Sequence, residues 1–180
     1  DNKVYKPLIS EKIVEYRSKD QQIPTSKNGK ELINIIYDYY PKGSDFEKCA
    51  IEIVKLMDKN VIGLDGTRPV KDGGKDGVGE YRIGTEEGGI SINFAMEAKC
   101  YEPGETSVNV KDTSRLISRL KHREFGVIVT TSFVGNTAYK EIRKDRHPVI
   151  ILSAIDIIKI LDKHELNTKK KLTSWLKSID

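Results

Sequence analysis

The chain has 180 residues, 37% of them hydrophobic and 32% charged, with a formal net charge of +4. That length fits one domain with a real core, no apolar run approaches the roughly 20 residues of a membrane span, and no signal peptide is legible at the start. Cys49 and Cys100 form neither a disulfide framework nor a zinc spacing, so a reducing cytoplasm is expected, and a charge of this size leaves nucleic-acid binding to its distribution.

The first residue is Asp rather than Met, which we read as a fragment or processed product of a longer protein. Residues 1–43 read as an N-terminal linker and helical extension, and residues 44–180 as the main domain. Within the extension, 8–18 has the pattern of a short helix. "QQIPTSKNGK" reads as a loop broken by Pro24, Ser26, Asn28 and Gly29. Leu32, Ile33, Ile36 and Tyr40 then recur with helical spacing until "PKGSD". Phe46, Cys49, Ala50, Ile53, Val54 and Met57 form one apolar face, which predicts a helix over 45–58. Ser44 with Glu47 predicts a capping box at its start.

"VIGLDG" reads as a short strand, and a Gly-rich stretch leads to Tyr81 and Ile83. In "GGISINFAMEAKCY", Ile90, Ile92, Phe94 and Met96 share one side of a strand, expected to meet helices. Ser91, Asn93, Ala95, Glu97 and Lys99 share the other. Residues 111–122 read as a helix with Leu116, Ile117 and Leu120 inward. "FGVIVTTS" and "HPVIIL" read as buried strands, with a helix over "GNTAYKEIRKD" between them. Ser153 with Asp156 caps the next helix, and the last helix carries Leu172, Trp175, Leu176 and Ile179 on one side. The fold class is α/β, with a central mixed sheet flanked by helices.

The chemistry concentrates on three residues. Glu97 and Lys99 of "EAK" lie two apart on a strand, so they share a face with alpha carbons roughly 6.6 Å apart. Asp76 of "KDGGKDG" supplies a second carboxylate if its strand pairs with that of Glu97. Two adjacent carboxylates repel, and a hard divalent cation with oxygen ligands relieves the repulsion. Such an ion with a neighbouring Lys is a sensible site for phosphodiester hydrolysis. Taken singly, "DGG" and "KDG" are ordinary turns, and a Glu and a Lys alternating on a strand are usually a solvated face. The order of the motifs is what distinguishes them.

"DGGKDG", "INFAMEAKCY", "FGVIVTTSFVGNTAYKEI" and "PVIILSAIDIIKIL" resemble the PD-(D/E)XK nuclease superfamily, in its Mrr-like and archaeal Holliday-junction-resolvase-like branch. The resemblance covers roughly residues 44–162. It implies a restriction-endonuclease-like fold in a prokaryotic cytoplasm and a Mg²⁺-dependent nuclease, with Mn²⁺ able to substitute, leaving 5′-phosphate and 3′-hydroxyl ends. Asp76 matches the metal-binding Asp, Glu97 the second acidic ligand and Lys99 the catalytic Lys. The resemblance further implies the carbonyl of Ala98 as a metal ligand. Many Mrr-like members carry Gln at the position of Glu97, and Lys75 stands where the motif has Pro. Asp72 is the alternative ligand to Asp76. Glu47, on the branch's first core helix, is a catalytic candidate as well as a capping residue.

Arg115 and Arg119 are one turn apart and form a candidate phosphate-tracking face. A solvated helix face explains them equally well. Thr131 and Ser132 end a strand, and their hydroxyls are further candidates for phosphate contact. The expected partners are double-stranded DNA, a second copy of the chain and a separate DNA-recognition domain in the parent protein. The amphipathic last helix with Trp175 is a candidate interface, or else simply packs on its own domain. The rival readings are a structure-selective junction resolvase and a non-catalytic DNA-binding module on the same fold. "DGGKDG" is not an EF-hand, because Ile83 stands where a bidentate Glu is required.

Overall fold

The computed structural model describes residues 16–43, 45–66, 77–120 and 123–179. Its strands are β1 (Val61–Gly66), β2 (Gly77–Ile83), β3 (Ile90–Lys99), β4 (Ser107–Val108), β5 (Phe125–Thr130), β6 (Phe133–Val134) and β7 (Val149–Leu152). Five of them form one sheet in the order β1-β2-β3-β5-β7, and β4 pairs with β6. The β1, β2 and β3 pairings are antiparallel, whereas β3, β5 and β7 run parallel. The mixed sheet expected from alternating strands and helices is therefore present.

The helices are α1 (Lys19–Gln22), α2 (Lys27–Tyr39), α3 (Phe46–Met57), α4 (Val110–Arg119), α5 (Asn136–Lys144), α6 (Ala154–Lys163) and α7 (Lys169–Ile179). The pleat of β3 sorts them into two layers. Phe94 and Met96 pack with Ile36 of α2, Ile53 of α3, Ile157 of α6 and Leu172 of α7. Ala95, pointing the other way, packs with Leu116 of α4 and with Ala138 and Ile142 of α5. Each fully buried large side chain stabilises the domain by about 1.5–3 kcal/mol.

Two glycines let these layers close. A Cβ on Gly126 would lie 3.0 Å from Leu116, which brings α4 down onto β5. A Cβ on Gly79 would lie 2.3 Å from the Phe94 ring and 2.8 Å from the carbonyl oxygen of Gly63. Phe94 fills that space and stacks on Phe125, with centroids 5.0 Å apart. Gly79→Ala is expected to destabilise the domain by about 1–3 kcal/mol through overpacking, read as a shift in the midpoint of urea unfolding.

Several expectations change. The segment 8–18 lies outside the described residues except for Tyr16, Arg17 and Ser18, which are not helical. Residues 27–30 are helical rather than loop. Ser26 caps α2 by accepting from the Gly29 N–H, and Gly29 is buried where a Cβ would lie 2.9 Å from Pro24. Leu32, Ile33, Ile36 and Tyr40 belong to the main core, so α2 is a structural member of the domain, not an appendage. α3 begins after Asp45, at φ 61° and with no side-chain cap bond; Ser44 lies outside the described residues. Ile90 is 63% exposed and pairs with the exposed Ile83, because the β2–β3 hairpin runs past the helices. The last helix spends Leu172 and Leu176 on its own core, with Trp175 and Ile179 packed beside them. The Ser153 cap is present, with Asp156 accepting from the Ser153 N–H at 2.9 Å.

Candidate active site

β3, β5 and β7 run parallel, and in open sheets of this kind ligands bind beyond the carboxyl ends of the strands. β3 ends there with Glu97, Ala98 and Lys99. The Glu97 side chain is 4% exposed, yet among the described residues it is paired with the cations of Lys99 and Arg119. Lys99 Nζ lies 2.6 Å from Oε1, and Arg119 from the last turn of α4 donates to Oε2 at 2.9 Å. An isolated carboxylate at this depth would cost several kcal/mol, and two hydrogen-bonded cations offset that cost.

A second carboxylate adjoins the pair. Asp112, in the first turn of α4, places Oδ1 3.7 Å from Lys99 Nζ. Its Oδ2 accepts from the Tyr101 hydroxyl at 3.0 Å and from the Asn109 N–H at 3.2 Å. Burial, followed by the charge of Asp112, pushes the Tyr101 hydroxyl up to about 12, so it remains a donor at any working pH. Arg115 is half-buried and near enough to Tyr101 to oppose that rise.

The remaining candidates fall in different places. Asp76 and the alternative Asp72 lie outside the described residues. Glu47 is buried in the first turn of α3. A Cβ on Gly66 would be 3.2 Å from its Oε1, so it borders the end of β1 on the face opposite α4. Thr131 and Ser132 are 0% exposed. Thr131 Oγ1 accepts from the Tyr101 N–H at 2.8 Å and donates to the Tyr101 carbonyl at 2.6 Å, and Ser132 Oγ accepts from the Gly104 N–H. Those hydroxyls secure the loop after β3 and do not reach a surface where phosphate would lie, which corrects the expected contact. Arg119 likewise turns inward to Glu97 rather than standing with Arg115 on an outer face. Cys49 and Cys100 are free, with burial pushing Cys49 up and Cys100 up to about 11. Among the described residues no helix is long and apolar enough to cross a membrane.

Sequence reasoning missed Asp112 and Tyr101. The available signal was Asn109 followed at three residues by an acidic side chain, a capping-box spacing. Both halves of that box are present.

No group of three or more His, Cys, Asp or Glu side chains able to hold a metal occurs among the described residues. The donor chemistry nonetheless suits a hard cation. A buried carboxylate already presents both oxygens to positive charge, and oxygen ligands are what Mg²⁺ takes.

A mixed sheet carrying a carboxylate–lysine pair at the carboxyl end of its central strand has the architecture of restriction-endonuclease-like nucleases. Residues 41–165 match the family described as restriction endonuclease, the Mrr-type catalytic domain. The chain belongs to that family. No match was found among curated proteins. Among solved structures, the chain is similar to the DNA modification-dependent restriction endonuclease AspBHI, with TM-score 0.89 and 44% identity over 96% of this chain. It is also similar in fold to the MspJI restriction endonuclease in complex with a 27-mer oligonucleotide, with TM-score 0.75 and 22% identity over 91% of this chain. The chain spans 45% of AspBHI and 38% of MspJI.

Proposed function

We propose that this domain hydrolyses DNA phosphodiester bonds in a divalent-metal-dependent reaction, leaving 5′-phosphate and 3′-hydroxyl ends. The observation that carries the reading is the buried Glu97 held between Lys99 at 2.6 Å and Arg119 at 2.9 Å, at the carboxyl end of β3. Glu97 and the Ala98 carbonyl serve as ligands of Mg²⁺, or of Mn²⁺ in its place. Asp76 is the second carboxylate. It directly precedes Gly77 in the sequence. The metal, when bound, polarises the phosphoryl oxygen and makes an attacking water more acidic.

The protein's own groups do the rest. Lys99 orients the water and offsets negative charge growing on the phosphoryl oxygens. Arg119 fixes the second oxygen of Glu97, so the carboxylate cannot rotate. Glu47 approaches from the α3 side, at Gly66, as an auxiliary acid. Arg115 lies beside this centre and contacts backbone phosphate. Arg115→Ala is therefore expected to weaken DNA binding at all sequences and to lower the slope of log K against log salt by about one. Fluorescence anisotropy over a salt series measures it, and an unchanged slope returns Arg115 to a solvated helix face.

The parent protein is proposed to be a prokaryotic, cytoplasmic restriction enzyme. The extent of AspBHI beyond this chain leaves room for a separate recognition domain, and the name of AspBHI favours recognition of modified DNA. Cutting both strands calls for two such centres, supplied by a homodimer. Cleavage of plasmid bearing modified bases, against the same plasmid without them, tests the specificity.

A further inference from the structure

We propose that Asp112 is a positioning residue for Lys99, holding the ammonium at the reaction centre when Glu97 is engaged by a divalent cation. This rests on the reading of Glu97 as a metal ligand. In the described structure Lys99 is shared unequally, 2.6 Å from Glu97 Oε1 and 3.7 Å from Asp112 Oδ1. A cation on Glu97 takes up the negative charge that now holds the amine. Lysine is a point charge on a flexible stem, so without a second counter-charge it would leave for solvent.

Asp112 is built to be that counter-charge. Its Oδ2 is fixed by the Tyr101 hydroxyl and the Asn109 N–H. Tyr101 is in turn clamped, through both its backbone N–H and its carbonyl, to Thr131 Oγ1. Oδ1 is thereby aimed at Lys99, and Asp112 is only 9% exposed. The capping box would explain an acceptor at this position, but a neutral amide satisfies that need. The amide does not supply the negative charge facing Lys99.

The test separates the two roles in the 180-residue chain. Asp112→Asn should stay folded with its melting temperature lowered by only a few degrees, because its amide NH₂ faces Lys99 across the longer 3.7 Å gap. It should bind Mn²⁺ within about twofold of wild type by calorimetry, since Asp112 orients Lys99 and not a metal ligand. With Mn²⁺ present, Lys99 should be labelled by reductive methylation about tenfold faster in the variant, read by mass spectrometry. Single-turnover cleavage should fall about 10–100-fold, and this loss should vanish in a Lys99→Ala background. Equal Lys99 labelling in both proteins, or the same loss in either background, would overturn the role of Asp112 alone. Loss of Mn²⁺ binding in Asp112→Asn would make Asp112 a ligand and also overturn it. A wild-type chain that binds no Mn²⁺ would overturn the underlying metal reading and this role with it.

Discussion

Glu97→Gln is expected to lower the rate of DNA cleavage by about a thousandfold while the domain stays folded. Polarisation by a bound metal contributes several kcal/mol to transition-state stabilisation, and each 1.36 kcal/mol is a factor of ten. The amide keeps the shape of the side chain but holds a metal poorly. It also has one oxygen where the carboxylate has two. Lys99 and Arg119 now take one oxygen each, so the amide NH₂ must face one of the two cations. That mismatch should cost about 1–3 kcal/mol of stability, within the roughly 5–15 kcal/mol that a domain holds. Urea unfolding beside single-turnover cleavage separates the two effects. A variant that cuts at the parent rate would remove Glu97 from the chemistry.

Lys99→Ala should slow cleavage by about 10²–10⁴-fold, the range for loss of a positioned proton-handling group. Its effect on metal binding runs the other way. Lys99 Nζ occupies Glu97 Oε1 at 2.6 Å, so removing it frees a ligand oxygen. Mn²⁺ affinity by calorimetry should be equal to that of the parent or tighter. A large loss of Mn²⁺ affinity would show that Lys99 builds the metal site rather than serving the reaction, contrary to the assignment.

Much of this architecture was legible because periodicity reports directly on burial. The apolar stripe of α3 fixed which of its faces is covered, and the β-branched run of β5 marked a strand buried on both sides. The alternation of β3 misled, because Phe94–Glu97 are buried on both faces and Ile90 is exposed. The same alternation put Glu97 and Lys99 on one face. What periodicity does not report is how a helix rolls on its neighbour. Arg115 and Arg119 are equivalent by spacing, yet Arg119 reaches inward to Glu97 while Arg115 stays beside Tyr101. Hydroxyls were opaque for a related reason. Thr131 and Ser132 can serve a ligand or the chain's own backbone, and tertiary packing gave them to the backbone. Gly29 reads as a breaker in a loop, but Ser26 capping and close packing against Pro24 place it in the first turn of α2. Asp112 was hidden because a capping acid and a partner for Lys99 look alike until α4 is set against β3.

Asp76 and Glu97 are proposed to act together on DNA through a divalent cation. Incubating supercoiled plasmid, with Mg²⁺ or with EDTA, with the parent chain and with an Asp76→Ala variant of matching circular dichroism tests this most directly. Nicking or linearisation is expected from the parent with Mg²⁺ only, and none from the variant. Equal cleavage by the two proteins, or cleavage that persists in EDTA, would contradict that proposal.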